Sequence, residues 1–214
     1  MSQKKPLTVG VLGFQGDIEE NVAATRQAMK ELDINGDIKV VRYPQEIADL
    51  DGLVMPGGES TVQSSLAAIQ QALPLLKEKV SGGMPVLGTC AGMIMLSKRA
   101  FDRVVGDTKQ KLLGSLDIVI ERNAFGRQGE SFEADVQIPA MGQEPFKGVF
   151  IRAPAVSEVG PGVEVLAKFS NRVVAVKQKN VTGTAFHPEL SGDLRVHRQL
   201  VEMAEEYGRK RRAG

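Results

Sequence analysis

Apolar runs alternate with helical periods along the first hundred residues of the chain. Residues 7–14 form a nearly continuous apolar run, as expected for a strand that is buried on both faces. From Ile18 to Leu32 apolar residues recur every three or four positions, which predicts a helix with Asp17 as its N-cap. Further strands are predicted at residues 38–43, 52–55 and 86–88, and further helices from about residue 60 and over residues 91–99. The helix from residue 60 carries Val62, Leu66 and Ile69 on one face, and Pro74 is expected to end or restart it.

The second half of the chain has a different pattern. Short apolar segments divided by Gly, Pro and Asn predict strands at residues 116–121, 132–138, 149–152, 163–169, 173–176 and 181–186, before a final helix over residues 194–207. The alternation in the first half predicts parallel β-α-β units with right-handed crossovers. We therefore expect one α/β domain over residues 1–214, with a mostly parallel central sheet, helices on both faces and a mixed or antiparallel extension.

Composition and charge narrow the range of partners. The 214 residues are 42% hydrophobic and 25% charged, which is ordinary for a globular protein with a sizeable core. A formal net charge of +1 argues against nucleic acid or an anionic membrane as the main partner. No apolar run is long enough to cross a bilayer, and the first residues lack the apolar core of a signal peptide. We expect a cytoplasmic protein whose basic tail, residues 205–214, is a solvated and frayed end.

The single cysteine of the chain, Cys90, lies between two glycines directly after a predicted strand. The segment Gly88-Thr89-Cys90-Ala91-Gly92 has the G-x-C-x-G pattern, which is the thiol counterpart of the nucleophile elbow of hydrolases. Glycines are needed because the turn from strand into helix is tight, and a side chain on either flank would collide with neighbouring backbone. A lone cysteine is otherwise most simply a small buried hydrophobic residue. The flanking glycines favour a catalytic nucleophile.

Two histidines are available to activate such a thiol. His197 lies on the apolar side of the final helix and is expected to be structural or partly exposed. His187 precedes Pro188 at the end of a predicted strand, in an extended segment where His187 and Glu189 would point to the same side. Glu189 would then accept a ring N–H of His187, which is the arrangement of a nucleophile–base–carboxylate triad. A surface turn that happens to contain both residues is the alternative.

A nucleophile of this kind needs an oxyanion hole. One donor is expected to be the backbone N–H of Ala91, the residue after the nucleophile. The second is expected from the glycine-rich loop 56–60, which follows a parallel strand and opens a helix. Chain order excludes an ordinary α/β-hydrolase, in which the acid precedes the histidine. No cluster of cysteines and histidines offers a metal site, so we expect neither a metal nor another cofactor.

The three motifs together resemble the class I, triad-type glutamine amidotransferases. They are Pro56-Gly57-Gly58, the segment around Cys90, and His187-Pro188-Glu189. More specifically, five blocks are similar to the family of glutaminase subunits of pyridoxal phosphate synthase: Gly13-Phe14-Gln15-Gly16-Asp17, Gly57-Gly58-Glu59-Ser60-Thr61, Arg122-Asn123-Ala124-Phe125-Gly126-Arg127-Gln128, Phe150-Ile151-Arg152-Ala153-Pro154 and Phe186-His187-Pro188-Glu189-Leu190. The blocks span residues 13–190. The resemblance implies a three-layer, flavodoxin-like fold and the hydrolysis of glutamine to glutamate and ammonia.

The resemblance also implies a role for each matched residue. Cys90 would be the nucleophile, His187 the general base and then acid, and Glu189 the residue that orients His187. Glutamine would be held by Gly58, Glu59, Ser60, Arg122, Ile151 and Arg152. Gly58 and Ala91 would form the oxyanion hole, with Gln15 beside it and near the partner interface. For the two arginines, a surface ion pair is the alternative.

The partner implied by the resemblance is a (β/α)-barrel synthase subunit, in an assembly of 12 synthase and 12 glutaminase subunits. Two other functions stay open at this point. The chain could be a glutaminase that serves another synthase, or a redox-sensing or chaperone-like protein with an elbow cysteine. The last of these would not need the pair formed by His187 and Glu189.

Overall fold

The computed structural model describes residues 6–125 and 131–213, so Gly126, Arg127 and Gln128 of the predicted motif lie outside the described residues. Its helices are α1 (Ile18–Glu31), α2 (Ser60–Ile69), α3 (Ala72–Ser81), α4 (Ala91–Leu96) and α5 (Arg195–Ala213). Its strands are β1 (Leu7–Leu12), β2 (Gly36–Val41), β3 (Gly52–Met55), β4 (Val86–Thr89), β5 (Ser97–Asp102), β6 (Gly106–Asp107), β7 (Leu116–Glu121), β8 (Ser131–Val136), β9 (Phe146–Ile151), β10 (Ala155–Val159), β11 (Glu164–Phe169), β12 (Arg172–Gln178) and β13 (Val181–Thr184).

One large mixed sheet forms the centre of the molecule. Within the described ranges its strand order is β2-β1-β3-β4-β13-β12-β10-β7-β5-β6, with β11 paired to β12. The first five strands in this order are parallel, whereas β12 pairs antiparallel with β13 and β10, and β10 pairs antiparallel with β7. β7 then pairs parallel with β5, and β5 pairs antiparallel with β6. β8 and β9 form a separate antiparallel pair. The predicted parallel core with a mixed extension is confirmed.

The strand order places the candidate site. β1 connects through α1 to β2 on one side, whereas β3 connects through α2 and α3 to β4 on the other. Right-handed crossovers in opposite directions put these helices on opposite faces of the sheet, and α5 packs with α1. The order therefore reverses between β1 and β3. Ligands of such sheets bind at the carboxyl ends of the strands on either side of this point.

The core is built from the apolar runs that the sequence shows. β1, β3, β4 and β13 are buried along their whole length, as expected for parallel strands covered on both faces. Phe146, Phe150 and Phe186 are fully buried, and Phe186, which directly precedes His187, contacts both of the other rings. In the described parts of the chain, no helix combines the length and the hydropathy that crossing a membrane requires.

Several elements differ from the sequence predictions. The helix predicted over residues 91–99 ends at Leu96, and the chain continues as β5, which pairs with β7. β5, β6 and β10 were not predicted, because their few apolar residues carry little periodicity and their pairing is long-range. Pro74 lies in the first turn of α3 and so marks a restart of the helix.

The apolar face of α2 is not its buried face. Val62 is 42% exposed and Ile69 is 76% exposed, whereas Gln63 and Ser64 are buried. The Gln63 amide donates to the carbonyl oxygens of Gln15 and Pro56, at 2.9 and 3.0 Å. α2 thus uses polar groups to hold the loops that end β1 and β3.

The prediction of a frayed basic tail is wrong. α5 continues to Ala213, and the guanidinium groups of Arg211 and Arg212 lie 3.0 and 3.1 Å from the carboxylate of Asp51, which is 1% exposed. The same carboxylate accepts the backbone N–H of Thr8 at 3.0 Å. The buried carboxylate of Asp51, which is distant in sequence, therefore orders the tail. Local sequence patterns contain no information about such a partner.

Candidate active site

Cys90 sits at a sharp turn between β4 and α4. Its φ of 49° and ψ of −103° are strained for a residue with a side chain. Its N–H donates to the carbonyl of Thr184 on the neighbouring strand at 2.7 Å. A Cβ on Gly88 would lie 2.7 Å from the backbone carbon of Gly92, and a Cβ on Gly92 would collide with the carbonyl oxygen of Met55. The predicted strand–turn–helix context of the cysteine, and the reason for both glycines, are confirmed.

His187 and Glu189 form the predicted pair, but by a different local geometry. Residues Pro188–Leu190 form a 3-10 turn instead of an extended segment. The turn still brings the Glu189 carboxylate to 2.9 Å from Nδ1 of His187. The N–H of His187 donates to the carbonyl of Val149 at 2.8 Å, which fixes the turn against β9. His187 is 3% exposed, and the side chain of Glu189 is fully buried.

A second carboxylate contacts the same ring nitrogen. Asp17 Oδ2 lies 3.0 Å from Nδ1 of His187, and the side chain of Asp17 makes no capping bond to α1. Asp17 is therefore the N-cap residue of α1 by position, as predicted, but its carboxylate is turned towards His187 and does not cap the helix. Burial lowers the pKa of His187, but the Asp17 carboxylate, Cys90 and the Glu189 carboxylate outweigh it and raise that pKa from 6.5 to about 12. The hydrogen bond from His187 in turn holds the pKa of Asp17 below its usual value.

These groups open into a cavity of about 650 Å³. All six residues expected to hold glutamine line it together with Cys90 and His187: Gly58, Glu59, Ser60, Arg122, Ile151 and Arg152. The carbonyl oxygen of Ile151 lies 3.9 Å from the Cys90 thiol. The structure thus brings together residues from five separate parts of the chain.

Arg122 and Glu59 both line the cavity and form an ion pair there. Arg122 donates to Glu59 Oε1 at 2.7 Å, and the same carboxylate oxygen accepts the hydroxyl of Thr61 at 3.0 Å. The ion pair named as the alternative for Arg122 therefore exists, and it lies in the cavity beside Cys90. Arg152 has a φ of 44°, a strained value of the kind that clusters at functional sites.

The expected oxyanion donors lie around the cysteine. Ala91 is the first residue of α4, where a helix leaves its N–H without an intrahelical partner. Gly58 has a φ of 143°, which favours glycine. Gln15 lies against this loop, and its Oε1 accepts the N–H of Glu59 at 2.7 Å. Gln15 therefore braces the loop that carries Gly58.

The sequence reasoning missed part of the cavity. Its remaining lining residues are Asp17, Ile94, Asp102, Arg103, Val104 and Asn123. Asp102 is the last residue of β5, and Arg103 and Val104 lie in the turn between β5 and β6, two strands that the sequence pattern does not predict. For Asp17 a signal existed, because it follows the first strand and so lies at the same sheet edge as Cys90.

His197 lies outside the cavity. It is fully buried, so the expectation of a structural histidine holds and that of partial exposure does not. Its Nε2 lies 3.3 Å from Oδ1 of Asn21 on α1, and burial lowers its pKa from 6.5 to about 4. The ligand atoms of Asp17, His187 and Glu189 lie within 4.8 Å of one another. Both carboxylates approach the same Nδ1 at hydrogen-bond distance, so a shared proton explains this spacing and we assign no metal to it.

Comparison with known proteins decides the family. The model of the SNO glutamine amidotransferase family matches residues 11–206. The chain belongs to this family. The resemblance inferred from the five sequence blocks is thereby confirmed.

Curated proteins that are similar to this chain agree with this assignment. A protein of Nitrosopumilus maritimus named pyridoxal 5'-phosphate synthase subunit PdxT is 48% identical over 92% of this chain and 97% of its own length. A protein of the same name from Archaeoglobus fulgidus is 47% identical over 93% of this chain and 99% of its own length.

Solved structures share the fold. One described as a glutamine amidotransferase superimposes with a TM-score of 0.79 at 42% identity, over 92% of this chain and 98% of that one. A PurLQS structure from Thermotoga maritima has a TM-score of 0.65 at 15% identity, over 95% of this chain and 99% of that one. At 15% identity, the second structure shows only that the fold is shared.

Proposed function

We propose that this chain is the glutaminase subunit of a pyridoxal 5'-phosphate synthase, which hydrolyses L-glutamine to L-glutamate and ammonia. The observation that carries the proposal is the strained Cys90 elbow, which opens into one cavity with His187 and the Glu59–Arg122 pair. The names of the curated relatives support the choice of synthase.

The first half of the reaction would form a thioester. A thiolate is the reactive form of cysteine. The raised pKa of His187 keeps its ring protonated, so this ring carries the proton that the reaction needs. The sulfur attacks the side-chain amide carbon of glutamine, and the N–H groups of Ala91 and Gly58 stabilise the oxyanion. His187 gives its proton to the departing nitrogen, so ammonia leaves as the C–N bond breaks. Nε2 of His187 is buried and makes no hydrogen bond within the described ranges, so it is available for this transfer.

The second half would release glutamate. Neutral His187 takes a proton from water, whose oxygen attacks the thioester carbon. The C–S bond breaks, Cys90 is regenerated as a thiolate and glutamate leaves. Glu189, fully buried on Nδ1, keeps the ring in one orientation through both halves.

Charge in the cavity suits a free amino acid. Arg122 and Arg152 offer planar guanidinium groups to the α-carboxylate, and Glu59 offers a carboxylate to the α-ammonium group. Gly58, Ser60 and Ile151 complete the wall around the side chain. The Glu59–Arg122 pair at 2.7 Å holds both groups in place before substrate arrives.

The ammonia would be consumed by a (β/α)-barrel synthase subunit that makes pyridoxal 5'-phosphate. We propose an assembly of 12 synthase and 12 glutaminase subunits in the cytoplasm. Gln15 and the loop that it braces would lie near the partner, so that binding of the synthase can complete the oxyanion hole.

The proposal is tested by measuring glutamate and ammonia released from glutamine, with and without a pyridoxal phosphate synthase barrel. We expect activity that increases with the barrel, and a loss of about 10³-fold or more in Cys90→Ala, because no nucleophile remains. His197→Gln is the control and should keep most of the activity, since His197 lies outside the cavity.

Three outcomes would contradict the proposal. Hydrolysis by Cys90→Ala at the wild-type rate excludes the thioester mechanism. Glutaminase activity without any binding to the barrel favours a glutaminase of another synthase. An oxidisable thiol with no glutamine hydrolysis, with or without the barrel, favours the redox-sensing alternative.

A further inference from the structure

His187 holds two carboxylates on a nitrogen that carries only one proton. Glu189 Oε1 lies 2.9 Å and Asp17 Oδ2 lies 3.0 Å from Nδ1. A triad needs one orienting carboxylate, and Glu189, with a fully buried side chain, meets that need. The contact of Asp17 is therefore additional to the triad.

The two carboxylates reach His187 from different parts of the fold. Glu189 is two residues away in the same turn after β13, whereas Asp17 comes from the loop between β1 and α1. The N–H of Asp17 donates to the carbonyl of Gly57 at 3.3 Å, and its carbonyl accepts the side-chain amide of Asn21 at 2.7 Å. These backbone bonds set the position of Asp17 without using its carboxylate.

The neighbouring loop leaves space for the contact. A Cβ on Gly57 would lie 2.8 Å from Asp17 Oδ2 and would collide with Cε1 of His187. A side chain at position 57 would therefore force Asp17, His187 or both to move. The loop after β3 thus has a glycine where the two side chains meet.

We propose that Asp17 is a second positioning residue for His187, which holds the ring from the cavity side and stabilises its protonated form beside Cys90. This inference rests on the proposed glutaminase function. The charged and titratable groups that face His187 are Asp17 from the start of α1, Glu189 from the turn after β13, and Cys90 from the elbow. Of the two carboxylates Asp17 borders the cavity, with 36% of its side chain exposed, so an occupant of the cavity can change its hold on His187.

The direct test is the titration of His187 by ¹⁵N-imidazole NMR in the free protein. The chain has two histidines, and fully buried His197 provides an internal reference. In Asp17→Asn the protonation midpoint of His187 should move to lower pH by about 1 pH unit or more, because one of two adjacent negative charges is gone. Asp17→Ser removes the same carboxylate with a residue that suits an N-cap, which keeps the test valid if Asp17→Asn folds poorly.

Glu20→Gln is the matched control. It removes one negative charge from the same first turn of α1, and its side chain is exposed to solvent. Its His187 titration should coincide with that of the wild type. If both Asp17 variants also titrate like the wild type, the inference is overturned.

Kinetics separate this inference from the proposed function. With the synthase present, Asp17→Asn should lower kcat more than it raises KM, and the alkaline limb of the kcat/KM profile should move to lower pH. Unchanged kinetics and pH profile in Asp17→Asn, with active wild type, overturn the role of Asp17 and leave the glutaminase assignment intact. If the wild type hydrolyses no glutamine, the assignment fails, while the NMR titration still decides whether Asp17 stabilises protonated His187.

Discussion

At the scale of single residues, strain and close contact concentrate around the cavity. Cys90, Asn123 and Arg152 have φ values of 49°, 50° and 44°, and all three line it. Residues in such conformations persist only where the surrounding structure holds them. For Cys90 that support comes from the packing of Gly92 against the backbone of β3. The position of the Cys90 thiol in the cavity therefore depends on Gly92, a residue that does not line the cavity.

Replacing Gly92 by alanine tests this dependence. The new Cβ would collide with the carbonyl oxygen of Met55, a backbone atom that cannot move without shifting β3. We expect Gly92→Ala to lower the free energy of unfolding by about 3 kcal/mol, or to prevent folding. Urea denaturation measures the change. Gly82→Ala is the control, because its Cβ would meet nothing closer than 3.3 Å, and equal stabilities of the two variants would contradict the prediction.

At the scale of secondary-structure elements, α5 shows how a distant partner decides the fate of a charged segment. The run of basic residues at 209–212 has the composition of a solvated tail. Two of its arginines instead neutralise Asp51, which directly precedes β3. The close approach also requires a small residue, because a Cβ on Gly208 would lie 2.6 Å from Asp51 Oδ1. The end of α5 thus anchors the helix to the start of a central strand.

Removing both arginines tests the anchor. In Arg211→Ala/Arg212→Ala the buried carboxylate keeps, among the described residues, only the N–H of Thr8 as a partner, so the free energy of unfolding should fall by about 2 kcal/mol. The control Lys210→Ala breaks an exposed pair with Glu206 and should cost under about 0.5 kcal/mol.

Adding Asp51→Asn to the double variant should recover part of the loss, because no unpaired charge remains. Thermal or urea unfolding gives the stability of the double variant, the triple variant and the Lys210→Ala control, each relative to the wild type. A double variant as stable as the wild type would show that the tail does not anchor the fold.

At the scale of the whole molecule, the candidate site is formed at the edge of the sheet where the parallel strands end. Its residues come from the loops after β1, β3, β4 and β7, from the turn after β13, and from the ends of β5 and β9 with the residues that follow them. The helix layer behind β1 is joined to the site through Asn21, which bonds the backbone of Asp17 and the ring of His197. Protonation of His197 therefore affects the packing of α5 on α1, the helix whose Asn21 holds the backbone of Asp17.

The stability of the protein should fall as the pH is lowered from 6.5 to 4. Unfolded His197 binds a proton near pH 6.5, but burial lowers the pKa of folded His197 to about 4. The unfolded state thus binds more protons in this interval, and the free energy of unfolding should decrease by about 3 kcal/mol across it. His187 does not contribute there, because its folded pKa lies above its unfolded pKa of 6.5 and both states are protonated below 6.5.

Urea midpoints measured across this interval for the wild type and for His197→Gln provide the check. The variant should show a smaller loss of stability on acidification, even if its stability at neutral pH is lower. Parallel pH profiles of the two proteins would contradict the assignment of the acid sensitivity to His197.

The sequence by itself determined the parallel core, the elbow around Cys90, the pairing of His187 with Glu189 and the resemblance to the family. These features are local: apolar runs mark strands buried on both faces, and short motifs with glycine or proline place a side chain within a few residues. Only the tertiary structure decided that Asp17 contacts His187, that the polar face of α2 is buried, and that Arg211 and Arg212 meet Asp51. Each of these depends on partners distant in sequence, brought together by strand order, and a local pattern contains no information about such partners.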